Sequence, residues 1–254
     1  MQKCPKQCIS VHEDEEGFLY PLIDMSFCIE CGLCENVCPV INQSEVCSPL
    51  KVYAAKNPNE QIRLSSSSGG IFTMLAEQIL KENGIVFGAR FDEKWEVEHD
   101  YADTLDGIAA FRGSKYVQSR IGDSYQRVED FLRKGRKVLF SGTPCQVAGL
   151  KRFLHNKEYD NLLTVDVICH GVPSPLIWRK YLEETIRPKG VAGKKSVLKS
   201  GYPPLRRTKI RFWNPVYTKK EFTSMSLLIR ICLCKVFCTT YIYVLVATLV
   251  RLKD

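Results

Sequence analysis

Three cysteines within seven residues, Cys28, Cys31 and Cys34, constrain this chain more than any other feature. The run Cys28-Ile-Glu-Cys31-Gly-Leu-Cys34-Glu-Asn-Val-Cys38-Pro39 has the spacing Cys-x2-Cys-x2-Cys-x3-Cys-Pro. Thiolates at that spacing let one tight loop wrap three iron corners of a 4Fe-4S cubane, and Gly32 lets the backbone approach the sulfides. The fourth cysteine opens a helical turn and points away, so in two-cluster proteins it ligates the other cluster. A structural zinc site is the competing reading. Zinc sites favour paired knuckles a dozen or more residues apart, not three cysteines in so short a run.

The spacing is that of bacterial ferredoxins, and it makes Cys4-Pro5 informative. That pair reads as the end of a first run whose other three cysteines are not in the sequence. One cluster is then completed by Cys28, Cys31, Cys34 and Cys4, while Cys38 is left as a single ligand of a second cluster. Between the runs, Asp14–Pro21 reads as an acidic turn and a short strand. Cys8 and Cys47 fit no ligand spacing and read as ordinary small residues.

Six of the twelve cysteines precede residue 39, and the start Met1-Gln2-Lys3-Cys4-Pro5 has no apolar signal region. The expected location is therefore the cytoplasm, where cysteines serve metals or thiol chemistry rather than disulfides. The formal charge of +8 is unevenly placed: residues 1–46 carry −6 and residues 187–254 carry +13. With the excess base in the tail and no basic stripe with interleaved aromatics in the body, a nucleic-acid surface is not expected.

From residue 51 the pattern alternates strands with helices. Lys51–Lys56 reads as a strand and Gly70–Asn83 as a helix, with Ile71, Leu75 and Ile79 on one stripe. Ile85–Phe91 and Trp95–Tyr101 follow as a strand pair, then a helix Asp123–Lys134. Lys137–Ser141, Pro144–His155, Leu162–Ile168 and Pro175–Arg187 alternate strand, helix, strand, helix. Such alternation predicts an α/β domain with a mostly parallel sheet, whose ligands bind at the carboxyl ends of strands.

Three turns are expected at strand-to-helix transitions. Ser65-Ser66-Ser67-Ser68-Gly69-Gly70 offers hydroxyls and free N–H groups at a positive helix end, which suits a phosphate. Gly142-Thr143-Pro144-Cys145-Gln146 has Thr143 as cap and Pro144 at the first helical position. Cys169-His170-Gly171-Val172-Pro173-Ser174-Pro175 repeats that design. Arg112-Gly113-Ser114-Lys115-Tyr116 adds two cations and an aromatic. Each turn alone is more often punctuation than a site. Their shared placement favours a site, because a dinucleotide needs several N–H-rich helix starts around one crevice. Cys145 reads either as a low-pKa thiol at a helix start or as a small buried side chain. His170 suits a proton donor to a reducing centre. His12, His99 and His155 show no partner pattern and read as surface or packing residues. Neither a Gly-x-Gly-x-x-Gly nor a Gly-x4-Gly-Lys-Ser/Thr motif occurs.

Taken in order, Cys28–Pro39, Ser66–Phe72, Gly113–Ser119, Leu139–Lys151 and Cys169–Pro175 resemble the family of coenzyme F420 hydrogenase/dehydrogenase beta subunits, over roughly residues 1–187. The resemblance implies a 4Fe-4S ferredoxin-like domain over residues 1–48 and an α/β flavin-binding domain over 51–187. It implies FAD contacts at Ser66, Ser67, Ser68, Gly69 and Gly70, at Gly113, Ser114, Lys115 and Tyr116, and at Gly142, Thr143, Pro144, Cys145 and Gln146. It places Cys169 and His170 on the substrate side, as catalytic residues. The metal ligands are Cys4, Cys28, Cys31, Cys34 and Cys38. The implied activity is an oxidoreductase passing electrons between the cluster, FAD and a reducible small molecule, either a deazaflavin coenzyme or a ferredoxin-linked substrate. Its partner is an electron-donor protein such as a ferredoxin or a hydrogenase/dehydrogenase subunit; the acidic first segment suits a basic partner face and repels an acidic small ferredoxin. The competing readings are an electron-carrying subunit with no chemistry of its own, and a gene fragment.

Two departures from the family pattern stand out. The first cysteine run is reduced to Cys4, which reads as a truncated start. Residues 188–254 form a basic and then apolar tail, Met225–Val250 being interrupted by Arg230 and Lys235. Its longest uncharged stretch, Val236–Val250, is fifteen residues, short of the roughly twenty a membrane span needs. The tail reads as an out-of-frame continuation ahead of a span or a core element.

Overall fold

A computed structural model describes residues 1–43, 49–169 and 171–185. Residues Met1–Leu176 belong to one compact unit, and Ile177 begins a second. In chain order the elements are β1 (Ile9–Glu13), β2 (Leu19–Ile23), α1 (Leu33–Asn36), α2 (Glu60–Leu64), α3 (Ile71–Lys81), β3 (Ile85–Phe91), β4 (Val97–Ala102), α4 (Leu105–Ile108), α5 (Ser124–Arg133), β5 (Val138–Gly142), α6 (Pro144–Phe153), β6 (Leu162–Asp166) and α7 (Pro175–Thr185).

The fold is α/β. Its larger sheet has the order β4-β3-β5-β6, with β3–β5 and β5–β6 parallel and β3–β4 an antiparallel hairpin. Ile85-Val86-Phe87 on β3 stands opposite Val138-Leu139-Phe140 on β5, and all six side chains are buried. Such uninterrupted apolar runs are what a parallel strand covered on both faces requires. Alternation along the strands splits the core in two. Ile85, Phe87, Val138 and Phe140 pack with Val128 and Leu132 of α5 and Val147, Leu150 and Phe153 of α6. Val86, Leu139 and Val165 pack on the opposite face with Ala76 and Ile79 of α3 and Ile108 of α4.

Helix α3 returns to β3 through Asn83 at φ 55° and Gly84, whose N–H donates to Ile79 O at 2.9 Å. A Cβ at Gly84 would stand 2.5 Å from Ile79 Cγ2, 2.7 Å from Ile79 O and 2.8 Å from Lys137 O. Two of those three neighbours are backbone and cannot swing away. Gly84→Ala is therefore expected to cost about 1–3 kcal/mol through overpacking, read as a lowered urea midpoint with unchanged slope.

The predicted strand Lys51–Lys56 does not form. Those residues are exposed and pair with nothing in either sheet. As a result the serine–glycine turn follows α2 rather than a strand. The other predicted elements agree with the structure to within a few residues, and the strand pair around Asp92-Glu93-Lys94 is the β3–β4 hairpin, while β1 and α1 are not foreseen in the sequence pattern. The short helices α2 and α4, capped by the side chains of Asn59 and Thr104, have no apolar period long enough to reveal them.

The N-terminal segment contributes the antiparallel β1–β2 hairpin, nearly all of it exposed. Its start is tied to α5 and α6. Gln2 Nε2 donates to Gly122 O at 2.6 Å and Gln2 Oε1 accepts from Gln126 N at 2.9 Å. Lys3 pairs with Glu129 at 3.0 Å and lies over the Phe153 ring. Among the described residues, no helix is long and apolar enough to cross a membrane.

Candidate functional site

The cysteine loop turns on two left-handed residues, Glu30 at φ 51° and Gly32 at φ 68°. The first aims its N–H at Cys28 Sγ, 3.4 Å away. At Gly32 a Cβ would meet nothing within 4 Å, so that side of the loop is open. Cys34 lies in α1 and Cys38 just beyond it, where Cys38 N donates to Glu35 O at 3.1 Å. Cys4 sits in a tight turn with Gln7 at φ 52°. The backbone N–H of Cys8 first, with those of Lys6 and Gln7, favours its thiolate and holds it below the usual thiol range against the effect of burial.

Among the described residues, no three Cys, His, Asp or Glu side chains converge as the shell of one metal ion. A cubane does not ask for that shell, since it spreads its thiolates over four separate irons. Backbone N–H groups aimed at Cys4 and Cys28, with open space beside Gly32, are features that suit a thiolate-bound cluster.

The second set of residues gathers around the sheet. Asn57, buried, pins the serine–glycine turn: its N–H donates to Gly69 O at 2.7 Å and its amide to Gly70 O at 3.1 Å. Gly70 caps α3 at φ 73° with no side-chain bond to the helix start. Ser66 Oγ donates to Ile62 O at 2.7 Å, closing α2, and Ser68 is exposed. Ser67 Oγ accepts the N–H of Ser114 at 2.6 Å, and Arg112 Nη1 donates to Ser65 Oγ at 3.3 Å. Two predicted segments far apart in sequence are thus one locus. Gly113 stands at φ 85° between those contacts. Lys115 Nζ donates to Ala110 O at 2.8 Å and Arg112 O at 3.1 Å, and burial lowers its pKa to about 8. Thr73, in the first turn of α3, is buried with its hydroxyl unpaired.

The third segment follows β5. Thr143 caps α6, Pro144 opens it, and the Thr143 N–H donates to Gln146 Oε1 at 2.9 Å. Gln146 Nε2 donates to Ser119 Oγ at 2.8 Å, which joins this turn to the Gly113–Ser119 stretch. Tyr125, half-buried, donates its hydroxyl to Gln146 O at 2.8 Å, and desolvation raises its pKa. Cys145 is exposed, with Sγ 3.1 Å from Thr143 Oγ1. Cys169 is exposed after β6, and His170 lies outside the described residues, as do Cys47 and residues 186–254.

Sequence models of the coenzyme F420 hydrogenase/dehydrogenase beta subunit match residues 52–124 with its N-terminal part and residues 135–199 with its C-terminal part, together more than half of the chain. The chain belongs to the family of coenzyme F420 hydrogenase/dehydrogenase beta subunits. A 4Fe-4S binding domain matches residues 19–40, which hold Cys28, Cys31, Cys34 and Cys38. A subunit of the F(420)H(2) dehydrogenase of Methanosarcina mazei is 22% identical over 202 residues, 76% of this chain and 52% of that protein. A 7Fe ferredoxin of Hydrogenibacillus schlegelii is 40% identical over 60 residues, 22% of this chain and 70% of the ferredoxin. A chain of the F420-reducing NiFe hydrogenase complex of Methanosarcina barkeri, solved after xenon derivatization, superposes with a TM-score of 0.43. It is 23% identical, over 56% of this chain and 54% of that one. This member of the family spans about half the length of the dehydrogenase subunit it matches.

Two residues of this family member carry more than their sequence context foretells. Cys8 is buried with Sγ 3.4 Å from Cys4 Sγ. Its bond with Cys4, burial and the nearby Cys28 push its thiol up to about 11. It therefore belongs to the cysteine locus. Its place four residues after Cys4, across a tight turn, is the signal that spacing rules for ligands overlook. His99 is also buried, within hydrogen-bond distance of both Ser119 and Ser141. Its position on the inward face of β4 hints at burial, but nothing in the sequence names its partners.

Proposed function

We propose that the chain is an iron–sulfur flavoprotein oxidoreductase that passes electrons between a 4Fe-4S cluster, FAD and a reducible small molecule of the deazaflavin or ferredoxin-linked kind. Cys28, Cys31 and Cys34, with Cys4 as fourth ligand, hold the cluster, and Cys38 belongs to a second one. FAD is held at Ser66–Gly70, Gly113–Tyr116 and Gly142–Gln146. When bound, the cluster supplies single-electron steps and the flavin the conversion between one and two electrons.

The single observation that carries the flavin half is the 2.6 Å bond from Ser114 N–H to Ser67 Oγ, which makes one polar locus of two turns. The start of α3 there, uncapped by any side chain, presents N–H groups and a positive dipole end suited to a diphosphate. Lys115, held against two carbonyls beside it, adds a cation. Cys169 and His170 are the catalytic residues, His170 as the proton donor to the substrate. The electron-donor partner is a ferredoxin-like protein or a hydrogenase/dehydrogenase subunit, with a basic face for the acidic first segment.

Anaerobic purification of the full chain, reconstitution with iron, sulfide and FAD, and a visible spectrum test the reading. The expected result is a broad cluster band bleached by dithionite, together with about one FAD per chain. Iron without flavin would leave a simple electron carrier and reject the flavoprotein. Ser67→Ala, which strands the Ser114 N–H, is expected to weaken FAD roughly five- to tenfold, about 1 kcal/mol, in a fluorescence titration.

A further inference from the structure

A ring of hydrogen bonds closes on the turn after β5, and its polarity is set from both ends by backbone groups. Ser141 C=O can only accept, so His99 Nε2, 3.0 Å away, carries a proton. Thr143 N–H can only donate, so the amide atom it meets at 2.9 Å is Gln146 Oε1. That turns Gln146 Nε2 toward Ser119, where it donates to the hydroxyl at 2.8 Å and lies 3.3 Å from the carbonyl. Burial holds the His99 imidazole in its neutral form, so Nδ1, 2.9 Å from Ser119 Oγ, accepts the hydroxyl proton. The imidazole is then neutral and protonated at Nε2. Its surroundings agree: His99 is 7% exposed and stacked on the Phe140 ring, with centroids 5.3 Å apart and planes at 16°.

The ring grips the turn on both sides of Gly142, by Ser141 O and by Thr143 N. Its members come from β4, from the segment before α5, from the end of β5 and from α6. We infer that His99 and Ser119 are positioning residues for the Gly142–Gln146 turn, holding the start of α6 in the shape in which it meets its ligand. That ligand is FAD, and the inference rests on the flavoprotein reading. Ser119 is the exchange point. Without its hydroxyl, His99 Nδ1 faces a methyl group and Gln146 Nε2 keeps only the longer contact to the Ser119 carbonyl, which weakens the hold that keeps Oε1 on Thr143. Threonine at the same place keeps the hydroxyl.

The test is FAD titration of the full chain as wild type, Ser119→Ala and Ser119→Thr, with melting curves as the control on folding and ¹⁵N-histidine spectra of the first two. The expected result is FAD binding weakened roughly tenfold in Ser119→Ala and restored to within about threefold by Ser119→Thr. One histidine should show an unprotonated Nδ1 and a protonated Nε2 near neutral pH, and its signal should shift in Ser119→Ala. Wild-type affinity in Ser119→Ala, equal losses in both variants, or a protonated Nδ1 on the histidine that responds would overturn the positioning role while leaving the flavin reading intact. A wild-type chain that binds no FAD overturns the flavin reading itself, and the role with it.

Discussion

Cys28→Ser in the full chain is expected to abolish the cluster: iron and acid-labile sulfide fall to background, and the brown colour is lost after reconstitution. The loop supplies three soft thiolates in seven residues, and serine offers a hard alcohol that stays protonated at neutral pH. The Glu30 N–H, now aimed at Cys28 Sγ, would then have no thiolate to stabilise. Cys38→Ser is the informative control, because in the two-run arrangement the last cysteine serves the other cluster and its loss leaves the first in place. A Cys28→Ser protein with wild-type iron content would remove the cluster from this loop. Loss of colour in Cys38→Ser with retention in Cys4→Ser would transfer the fourth ligand from Cys4 to Cys38.

Phe140→Ala is expected to lower stability by about 3–5 kcal/mol, the range for emptying a fully buried aromatic site. Phe140 is completely buried in the middle of β5. Its ring lies 6.2 Å from that of Phe87 and 5.8 Å from that of Tyr125, besides the stack on His99. Its ring neighbours belong to β3, β4 and α5, whose packing leaves the emptied site little room to close. For a domain of this size the loss corresponds to a melting point lower by roughly 6–20 °C, read by circular dichroism. Leu22→Ala, at a position 60% exposed on the N-terminal hairpin, should change stability by less than about 0.5 kcal/mol. Equal small effects from both would mean that Phe140 does not sit in the core described for it.

The sheet was largely legible because its central strands are apolar without interruption, β3 being preceded by helix α3 and β5 lying between α5 and α6. Thr143-Pro144 marks the start of α6 as plainly in the sequence as in the structure. The failure at Lys51–Lys56 has the opposite cause. Its residues resemble a strand, but a strand exists only with a partner, and no neighbour in the sheet receives this one. The turn at Ser65–Gly70 was recognisable as a turn, whereas its bond to Ser114, 47 residues away, was not.

The sequence by itself determined what consecutive residues encode: the cysteine spacing, the doubly buried strands, the helix caps and the family to which they add up. Tertiary structure alone decided which of these meet. It put Cys8 against Cys4, gave the Ser67 hydroxyl to the Ser114 N–H, and made His99 a neighbour of Ser141, 42 residues on. Hydrogen bonds between distant residues leave no period and no spacing behind them, because each depends on where the sheet and its helices bring two backbones, not on what stands beside either one.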